Sequence, residues 1–362
     1  MDITIIGAGP IGCYTGYLLA KSGHTVNIYE NHAQVGLPIQ CTGLLTADFD
    51  QFNLPKESFL INTLTTIEVY TPNNKIIFPN QKEYLVCRKK FDQFFANLAQ
   101  QTCAIIHLNH SFQSREGRNI IIKDTKKGIL KILTPEIIIA SDGPLSPTAK
   151  AFNVYHQNRK NYSGIQAIVN GQFNPDAYQT FFGQEVCPDL FAWIVPESKT
   201  QARVGLASQK NTKELFDVFM NKHHFQALEI QAGLIPLYEP KQILHHDNLY
   251  LLGDASSFVK ATTLGGLIPG LKQAEILADS INHKKNYQKQ LNPLTKKMKL
   301  HLKVHTILTK FTDQDWDCLA HLINQPKIKK IIEQHTRENP APILIKSLLK
   351  EPRFLFYFKH LF

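Results

Sequence analysis

Three glycines and one glutamate near the start of the chain have the spacing of a nucleotide-binding site. Gly7, Gly9 and Gly12 form a G-x-G-x-x-G run directly after the apolar segment 2–6, and Glu30 directly follows a second apolar segment. In dinucleotide-binding proteins the first glycine permits a tight turn, the second admits the pyrophosphate, and the third lets a helix pack on the sheet. A carboxylate at the position of Glu30 accepts hydrogen bonds from both ribose hydroxyls and repels a 2′-phosphate. We therefore predict a site for FAD or NAD rather than for NADP.

A strand, a helix and a second strand must position these residues. The apolar pattern predicts a strand over 2–6, a helix that starts at the glycine turn and carries Gly16, and a strand over 25–29. The N-terminus of such a helix offers free N–H groups and a positive dipole to phosphates. A glycine-rich turn in another kind of α/β protein is the alternative, and the order of the elements argues against it.

A second candidate cofactor site lies late in the chain. Gly253 and Asp254 follow the apolar segment 248–252, and the segment 267–281 predicts a helix. FAD is long, so a protein that binds its adenosine end near Glu30 needs other groups for the ribityl chain and the pyrophosphate. Asp254 suits a ribityl hydroxyl or a water near the phosphates. A classical NAD dehydrogenase is not expected to return to its cofactor so late, and no second complete glycine motif appears, so the pair of sites favours FAD over NAD.

Composition restricts the class of protein. At 362 residues the chain is long enough for two domains, or for one large sheet domain with an insertion. The formal charge of +10 fits an anionic membrane surface, an acidic lipid head group or a solvated surface, and the spread of Lys and Arg does not favour nucleic acid. No basic segment precedes the first strand, and no apolar run approaches the ~18 residues of a membrane span. We expect a cytoplasmic protein, with peripheral contact at a membrane left open.

The cysteines and histidines do not predict a metal site or disulfide bonds. No C-x-x-C pair occurs, and His301, His305 and His321 have no ligand spacing with nearby acids. The six cysteines are scattered along the chain: Cys13, Cys41, Cys87, Cys103, Cys187 and Cys318.

The order of apolar segments predicts an α/β fold. Extended runs between 161 and 230 indicate an antiparallel sheet, after which the pattern of the first domain resumes. We predict a Rossmann-like FAD-binding domain formed by 1–155 and 245–285, an inserted antiparallel-sheet substrate domain at 156–244, and a C-terminal helical region at 286–362.

Four stretches carry further motifs in chain order: Pro38-Ile39-Gln40-Cys41-Thr42-Gly43, Arg88 with Phe91-Asp92, Phe191-x-Trp193-x-Val195-Pro196 with Val204-Gly205, and Gly253-Asp254-Ala255 through Thr263-Leu264-Gly265-Gly266-Leu267. They are similar to the P-x-x-C-x-G, R-x-x-F-D, Y-x-W-x-F-P with V-G, and G-D-A-A-G with T-G-G-G-I motifs of the geranylgeranyl reductase family. This family lies within the para-hydroxybenzoate hydroxylase-like flavoproteins. With the basic helical tail, the resemblance spans nearly the whole chain and is strongest to archaeal digeranylgeranylglycerophospholipid reductases.

The resemblance implies which residues contact FAD and which differ from the family. The implied contacts are Ile11, Glu30, Cys41, Thr42, Leu44, Arg88, Asp254, Gly266 and Leu267. The departures lie near the expected flavin ring: Phe191 and Val195 replace Tyr and Phe, Ser257 replaces Gly, Lys260 and Ala261 replace Asn-Pro, and Leu264 replaces the first Gly of three. These differences concern the substrate more than the cofactor.

The implied reaction is hydrogenation of an isoprenoid C=C bond in geranylgeranyl chains. An isolated alkene is not polarised, so a hydride and a proton must be placed tightly in a dry pocket. Cys41 is the candidate for a redox or proton-handling group, and a small buried residue is the equal alternative. Phe191 and Trp193 are candidates for lining a prenyl tunnel, although aromatics on a strand are often plain core. The electron donor, ferredoxin or NAD(P)H, stays open.

Two other functions are compatible with these residues. An FAD monooxygenase of the same fold would consume oxygen and release a hydroxylated product. A prenyl-binding escort protein would need a lipid groove but no flavin, and Glu30, Arg88 and Asp254 speak against it. The apolar and basic segment 354–362 could contact a lipid surface, but docking onto its own domain is the commoner use of such a segment and is favoured.

Overall fold

The chain alternates strands and helices in its first part and ends in a run of helices, in a computed structural model that describes residues 1–361. The strands are β1 (Asp2–Ile6), β2 (Thr25–Tyr29), β3 (Leu44–Thr46), β4 (Leu60–Leu64), β5 (Thr66–Tyr70), β6 (Lys75–Phe78), β7 (Glu83–Val86), β8 (Ile105–His107), β9 (His110–Glu116), β10 (Asn119–Asp124), β11 (Leu130–Leu133), β12 (Ile137–Ala140), β13 (Asn161–Asn170), β14 (Ala177–Gly183), β15 (Cys187–Pro196), β16 (Gln201–Ser208), β17 (Ala227–Pro236), β18 (His245–His246) and β19 (Leu249–Leu251). The α-helices are α1 (Pro10–Lys21), α2 (Arg88–Gln101), α3 (Pro147–Ala151), α4 (Thr212–Lys222), α5 (Leu267–Asn282), α6 (Tyr287–Leu308), α7 (Asp313–Ile323), α8 (Pro326–Glu333) and α9 (Pro340–Lys350). Short 3₁₀ segments lie at Ala47–Phe52, Gly253–Ser256 and Pro352–Leu361.

The first strand lies inside a six-stranded sheet with the order β18-β19-β12-β1-β2-β8. β1 pairs in parallel with β2 and β12, and β12 pairs in parallel with β19. Residues 3–6 and 138–140 are buried, as expected for a parallel sheet covered on both faces. Because parallel strands end at the same edge, the turns after β1, β12 and β19 lie side by side. The strands and helices predicted for the start of the chain and for 248–281 are confirmed to within a residue or two.

Helix α1 packs against α2 on one side and α5 on the other. Phe91 and Phe95 of α2 are fully buried, and the Tyr14 ring of α1 meets the Phe95 ring edge-on at 5.4 Å. Each buried aromatic side chain contributes about 1.5–3 kcal/mol to folding. This packing holds the first turn of α2, which begins at Arg88, beside the glycine turn.

A seven-stranded sheet with the order β17-β13-β16-β15-β14-β5-β6 forms the second layer. One of its faces packs on Phe216, Phe219 and Met220 of α4. The predicted antiparallel order holds for most of its strands, but β14 pairs in parallel with β5. Strands β5 and β6 also lie outside the predicted range 156–244; apolar patterning identifies strands but does not specify which sheet a hairpin joins. The domain boundaries themselves stay a prediction.

In the C-terminal region, helix α7 packs on β6 and β14, at the β5–β6 end of this sheet. Helix α6 begins at Tyr287. A capping box between Thr312 and Asp315 starts α7. Within residues 1–361, no helix combines the length and apolar character that a membrane crossing requires. Of the apolar segment 354–362, Phe362 lies outside the described residues.

Candidate cofactor and substrate site

A cavity of about 620 Å³ lies between the edge where β1, β12 and β19 end and the open face of the seven-stranded sheet. Most residues that the sequence predicted for cofactor and substrate line it: Gly9, Ile11, Cys41, Thr42, Leu44, Arg88, Phe191, Trp193, Asp254, Gly266 and Leu267. Gly7, Gly12 and Glu30 do not line it. The structure therefore brings the separate sequence segments to one place.

The three glycines of the first turn have different environments. Gly7 has φ +100°, and a Cβ on it would lie 2.3 Å from the Ser141 carbonyl oxygen. A Cβ on Gly12 would lie 2.2 Å from the carbonyl oxygen of Gly7. Around Gly9, by contrast, a Cβ would meet no atom within 4 Å. Gly7 and Gly12 thus serve the turn itself, and Gly9 leaves open space at the N-terminus of α1, where a pyrophosphate would fit.

Glu30 is buried at the end of β2 and is already hydrogen-bonded. Its carboxylate accepts the Ala8 backbone N–H at 2.8 Å and the His32 backbone N–H at 3.0 Å. The His32 ring nitrogen Nδ1 lies 2.6 Å from Glu30 Oε1. A carboxylate has about four acceptor positions, so one is left for a ribose hydroxyl. Sequence reasoning missed both the orienting contact to Ala8 and the neighbour His32.

Asp254 is a partly buried carboxylate on the cavity wall. Among the described residues, none donates a hydrogen bond to its side chain. Burial raises its pKa, and the positive charges of Arg88 and Arg159 oppose that shift. Arg159 donates instead to the backbone oxygens of Asp254 and Ala255, at 2.6 and 2.9 Å. A partly buried carboxylate that faces the cavity and accepts no hydrogen bond from the protein fits a hydroxyl donor such as a ribityl group, so the residues present fit FAD.

The loop after β2 brings Cys41 and Thr42 to the cavity. Gly43 has φ +75°, and a Cβ there would lie 2.6 Å from the Val86 oxygen, so the loop packs tightly on β7. The Thr42 hydroxyl bonds to Gln166 at 2.7 Å. The Cys41 sulfur accepts the Gly43 N–H at 3.4 Å, and the residue is only partly buried.

Arg88 lies between this loop and the late segment. It pairs with Asp92 through two N–H···O bonds of 3.1 Å, and it also interacts with the sulfur of Cys41. Asp92 balances the charge of the guanidinium, so no unpaired buried charge is left. The positive charge of Arg88 also acts on the Asp254 carboxylate.

The floor of the cavity is the open face of the seven-stranded sheet. Trp193 of β15 pairs with Thr180 of β14, so both side chains lie on this face, as does Phe191 two residues before. Among the described residues, Trp193 Nε1 is buried without a hydrogen-bond partner. The face continues into an apolar arm between β5–β6 and α7, lined by Ile67, Val69, Ile76, Phe78, Trp316, Leu319, Ala320 and Ile323.

A buried polar cluster, not anticipated from the sequence, lies on the cavity wall and approaches the 263–267 loop at Gly265. We call it the ion cluster: Lys260, Glu338, Glu83, Arg337 and Tyr178. Lys260 is ion-paired with Glu338, and Arg337 lies 2.7 Å from Glu83. Burial lowers the pKa of Lys260 and raises that of Glu83 to about 7. The single hint in the sequence was Lys260 itself, a departure from the family motif.

Comparisons with known proteins match parts of the chain in two cases and nearly the whole chain in two others. The sequence profile described as an NAD(P)-binding Rossmann-like domain matches residues 5–54. An uncharacterised protein of Methanocaldococcus jannaschii is 28% identical over 295 residues, which is 78% of this chain and 75% of that protein. Digeranylgeranylglycerophospholipid reductase 2 of Methanopyrus kandleri is 24% identical and covers 99% of both chains. The crystal structure of a geranylgeranyl bacteriochlorophyll reductase-like protein of Thermoplasma acidophilum superposes with a TM-score of 0.84 at 20% identity, covering 100% and 99%.

These matches confirm the predicted resemblance and the predicted α/β fold, with its Rossmann-like domain, second sheet and C-terminal helices. They also agree with the predictions of FAD as cofactor and of an oxidoreductase. The roles of the individual site residues stay predictions. Over its full length this chain is similar to the geranylgeranyl reductases, and its fold is that of flavoprotein reductases.

Proposed function

We propose that this protein is an FAD-dependent reductase of isoprenoid C=C bonds in the geranylgeranyl chains of a (di)geranylgeranylglycerophospholipid. One observation carries the proposal: a single cavity joins the glycine turn and Asp254 to an apolar arm. A nucleotide cofactor would bind at the glycine turn and Asp254, and a prenyl chain would lie in the apolar arm. The names of the full-length relatives support the same substrate class.

In this proposal the residues of the chain bind the cofactor, orient the substrate and exclude water from the cavity. Gly9 and the N-terminus of α1 would hold the pyrophosphate, Glu30 the ribose, and Asp254 the ribityl chain. When bound, FAD supplies the hydride chemistry that amino-acid side chains lack. Phe191, Trp193 and the apolar arm would desolvate the prenyl chain, so that the alkene is held in a dry and defined position.

Cys41 is the proposed redox or proton-handling residue of the 38–44 loop. Its partial exposure to the cavity supports this role over that of a buried core residue. Its neighbour Arg88 gives the sulfur a positive partner.

A surface of the C-terminal region supports peripheral contact with a membrane. Leu349 is 77% exposed and Phe356 is 63% exposed, and Lys346, Lys350 and Lys359 are neighbours of these apolar residues in sequence. Basic residues around exposed apolar groups bind anionic lipid surfaces. Tyr357, in contrast, is buried against Phe311. Sedimentation with anionic vesicles, absent for zwitterionic vesicles, is the expected result; equal behaviour with both would refute the contact.

The proposed function is tested by titrating the purified protein with FAD and then following the reduced complex with a prenyl lipid. We expect tight FAD binding and flavin reoxidation by the lipid without oxygen. Oxygen consumption matched to hydroxylated lipid would indicate a monooxygenase instead. A protein that binds the lipid but never binds FAD would indicate an escort protein.

A further inference from the structure

The ion cluster contains a phenol on the wall of the cavity. Reduction of an isolated alkene adds a hydride to one carbon and a proton to the other, so a reductase needs a proton donor near the substrate. We propose that Tyr178 gives this proton, that Glu83 resupplies it, and that Arg337 stabilises the phenolate. This inference rests on the proposed function and deepens it.

Three distances define the arrangement. Tyr178 Oη lies 3.2 Å from Glu83 Oε1, and Arg337 Nη1 donates to Oη at 2.6 Å. Arg337 Nη2 lies 2.7 Å from Glu83 Oε2. The three residues come from β14, from β7 and from the segment between α8 and α9, and all of them line the cavity. The phenol oxygen, the Glu83 carboxylate and the Arg337 guanidinium therefore all lie within hydrogen-bonding distance of one another.

Tyr178 lies where a prenyl chain would pass. Thr180 pairs with Trp193 across β14 and β15, so Tyr178, two residues before Thr180, shares the face that carries Trp193 and Phe191. In the same cluster, Lys260 Nζ lies 3.2 Å from the position of a Cβ on Gly265, in the loop predicted to contact FAD. The phenol, the expected cofactor loop and the apolar arm thus line one cavity. Phe191, which has no hydroxyl, cannot supply this proton.

The protonation state of Glu83 decides where the Tyr178 proton points. When Glu83 is ionised, the Tyr178 hydroxyl donates to it. When Glu83 is protonated, the carboxyl donates to Oη, and Arg337 fills the second acceptor position. A hydroxyl has one donor and two acceptor positions, so its own proton is then left for the cavity.

Both states of Glu83 are populated at neutral pH. Burial raises its pKa to about 7, with Glu338 acting in the same direction and with Arg337, Lys260 and the hydrogen bond from Tyr178 opposing. A proton donor works best when its pKa lies near the working pH. Glu83 meets this condition, whereas burial raises the pKa of Tyr178 far above it. Tyr178 therefore passes on a proton that Glu83 at once replaces.

The step balances in atoms and charge. The Tyr178 O–H bond breaks as a C–H bond forms from the alkene electron pair. The other carbon receives the hydride, and both electrons, from the reduced flavin of the proposed function. Glu83 then transfers its proton to the phenolate and takes another from solvent. Arg337 faces the oxygen on which negative charge develops.

The test compares Tyr178→Phe with Tyr162→Phe in single-turnover reduction of a prenyl lipid by the flavin-loaded protein. Tyr162 is a buried tyrosine of β13 in the same sheet that does not line the cavity. We expect Tyr178→Phe to slow reduction at least about 100-fold, as for loss of a general acid. Flavin content and binding of the fully saturated lipid should not change. Tyr162→Phe should react like the unaltered protein, and an unchanged rate in Tyr178→Phe would refute the proposal.

Glu83 has its own readouts. In the unaltered protein, the single-turnover rate should fall as pH rises through about 7, and in Glu83→Gln this fall should be absent.

In the protein without flavin, infrared difference spectra should show a carboxyl C=O band that disappears over the same pH range, is missing in Glu83→Gln, and shifts in Tyr178→Phe. Absence of that band would refute the resupply step, even if Glu83→Gln folds poorly. If the unaltered protein cannot reduce any prenyl lipid while this band titrates normally, the failure lies in the proposed function.

Discussion

Ile11, at the start of the first helix, lies against Gly253, at the end of β19. A Cβ on Gly253 would be 3.4 Å from Cγ1 of Ile11, and one on Gly270 would be 2.8 Å from its Cδ1. The glycine turn and the 253–267 segment therefore form one continuous wall, as a long cofactor held by both segments requires. Had these two segments lain apart, the FAD prediction would have failed.

Gly9 and Gly7 should respond differently to alanine. Gly9→Ala should fold normally, because Gly9 has φ −64° and a Cβ there meets nothing within 4 Å. It should nevertheless bind FAD at least about tenfold more weakly, a loss of ~1.4 kcal/mol, because the methyl group occupies the space expected for the pyrophosphate. Gly7→Ala, with its positive φ and its clash with Ser141, should lower the free energy of unfolding by more than about 1 kcal/mol. Urea unfolding and FAD titration separate the two effects, and normal FAD binding by Gly9→Ala would contradict the placement.

Glu30→Ala should weaken FAD binding by about 1.5–3 kcal/mol, the usual value of hydrogen bonds to a charged group. Glu30→Gln is the matched control, because an amide oxygen still accepts the Ala8 N–H that orients the glycine turn. Glu30→Gln should lose less FAD-binding free energy than Glu30→Ala. Isothermal titration measures both variants, and unchanged affinity in Glu30→Ala would show that the ribose does not bind there.

Cys41→Ser should slow alkene reduction more than it lowers flavin content. The hydroxyl can still accept the Gly43 N–H, so the loop should keep its shape, while the softer and more acidic thiol is lost. Cys103→Ser, at an exposed cysteine, is the control. Full activity of Cys41→Ser in single turnover would remove this residue from the reaction.

The pair Lys260–Glu338 should be strongly coupled. Lys260→Met or Glu338→Gln alone leaves a buried charge without its partner, which costs about 3–5 kcal/mol of unfolding free energy. The double variant should lose clearly less unfolding free energy than the sum of the losses in the two single variants. The same comparison of single and double variants at the exposed pair Lys213 and Asp217 should give a coupling energy of at most about 0.5 kcal/mol. Additive losses at the buried pair would show that the two residues do not depend on each other.

His301 should make the protein less stable in acid. Burial, with a contribution from Lys260, lowers its folded pKa to about 3, so the unfolded chain binds the proton more readily. The contribution of His301 to the free energy of unfolding is therefore fully present above the unfolded pKa of about 6.5. It falls as pH drops towards 3, by up to ~1.4 kcal/mol per pH unit. His301→Gln, which can still bond to Thr262, should show a shallower fall between pH 6.5 and 4 in urea unfolding. An identical slope in the variant would show that His301 does not control it.

Local patterns made the cofactor half of this site predictable. Gly7, Gly9, Gly12 and Glu30 are close in sequence, and turn geometry and strand periodicity place such residues without knowledge of the rest of the fold. Asp254 could be added because it follows a buried strand of the same sheet.

The ion cluster could not be predicted in the same way. Glu83, Tyr178 and Arg337 lie on β7, on β14 and between α8 and α9, and only the tertiary fold brings them together. A buried Glu and a solvated Glu look alike in a sequence. The parallel pairing of β5 with β14 was missed for the same reason, since a strand pattern does not specify its partner.

The proposed reduction is tested by incubating the chemically reduced, FAD-loaded protein anaerobically with a digeranylgeranylglycerophospholipid and measuring the mass of the lipid by mass spectrometry. We predict that the lipid gains hydrogen pairs, in step with oxidation of the flavin, and that Gly9→Ala without bound flavin adds none. A lipid of unchanged mass beside flavin that stays reduced would contradict the central claim.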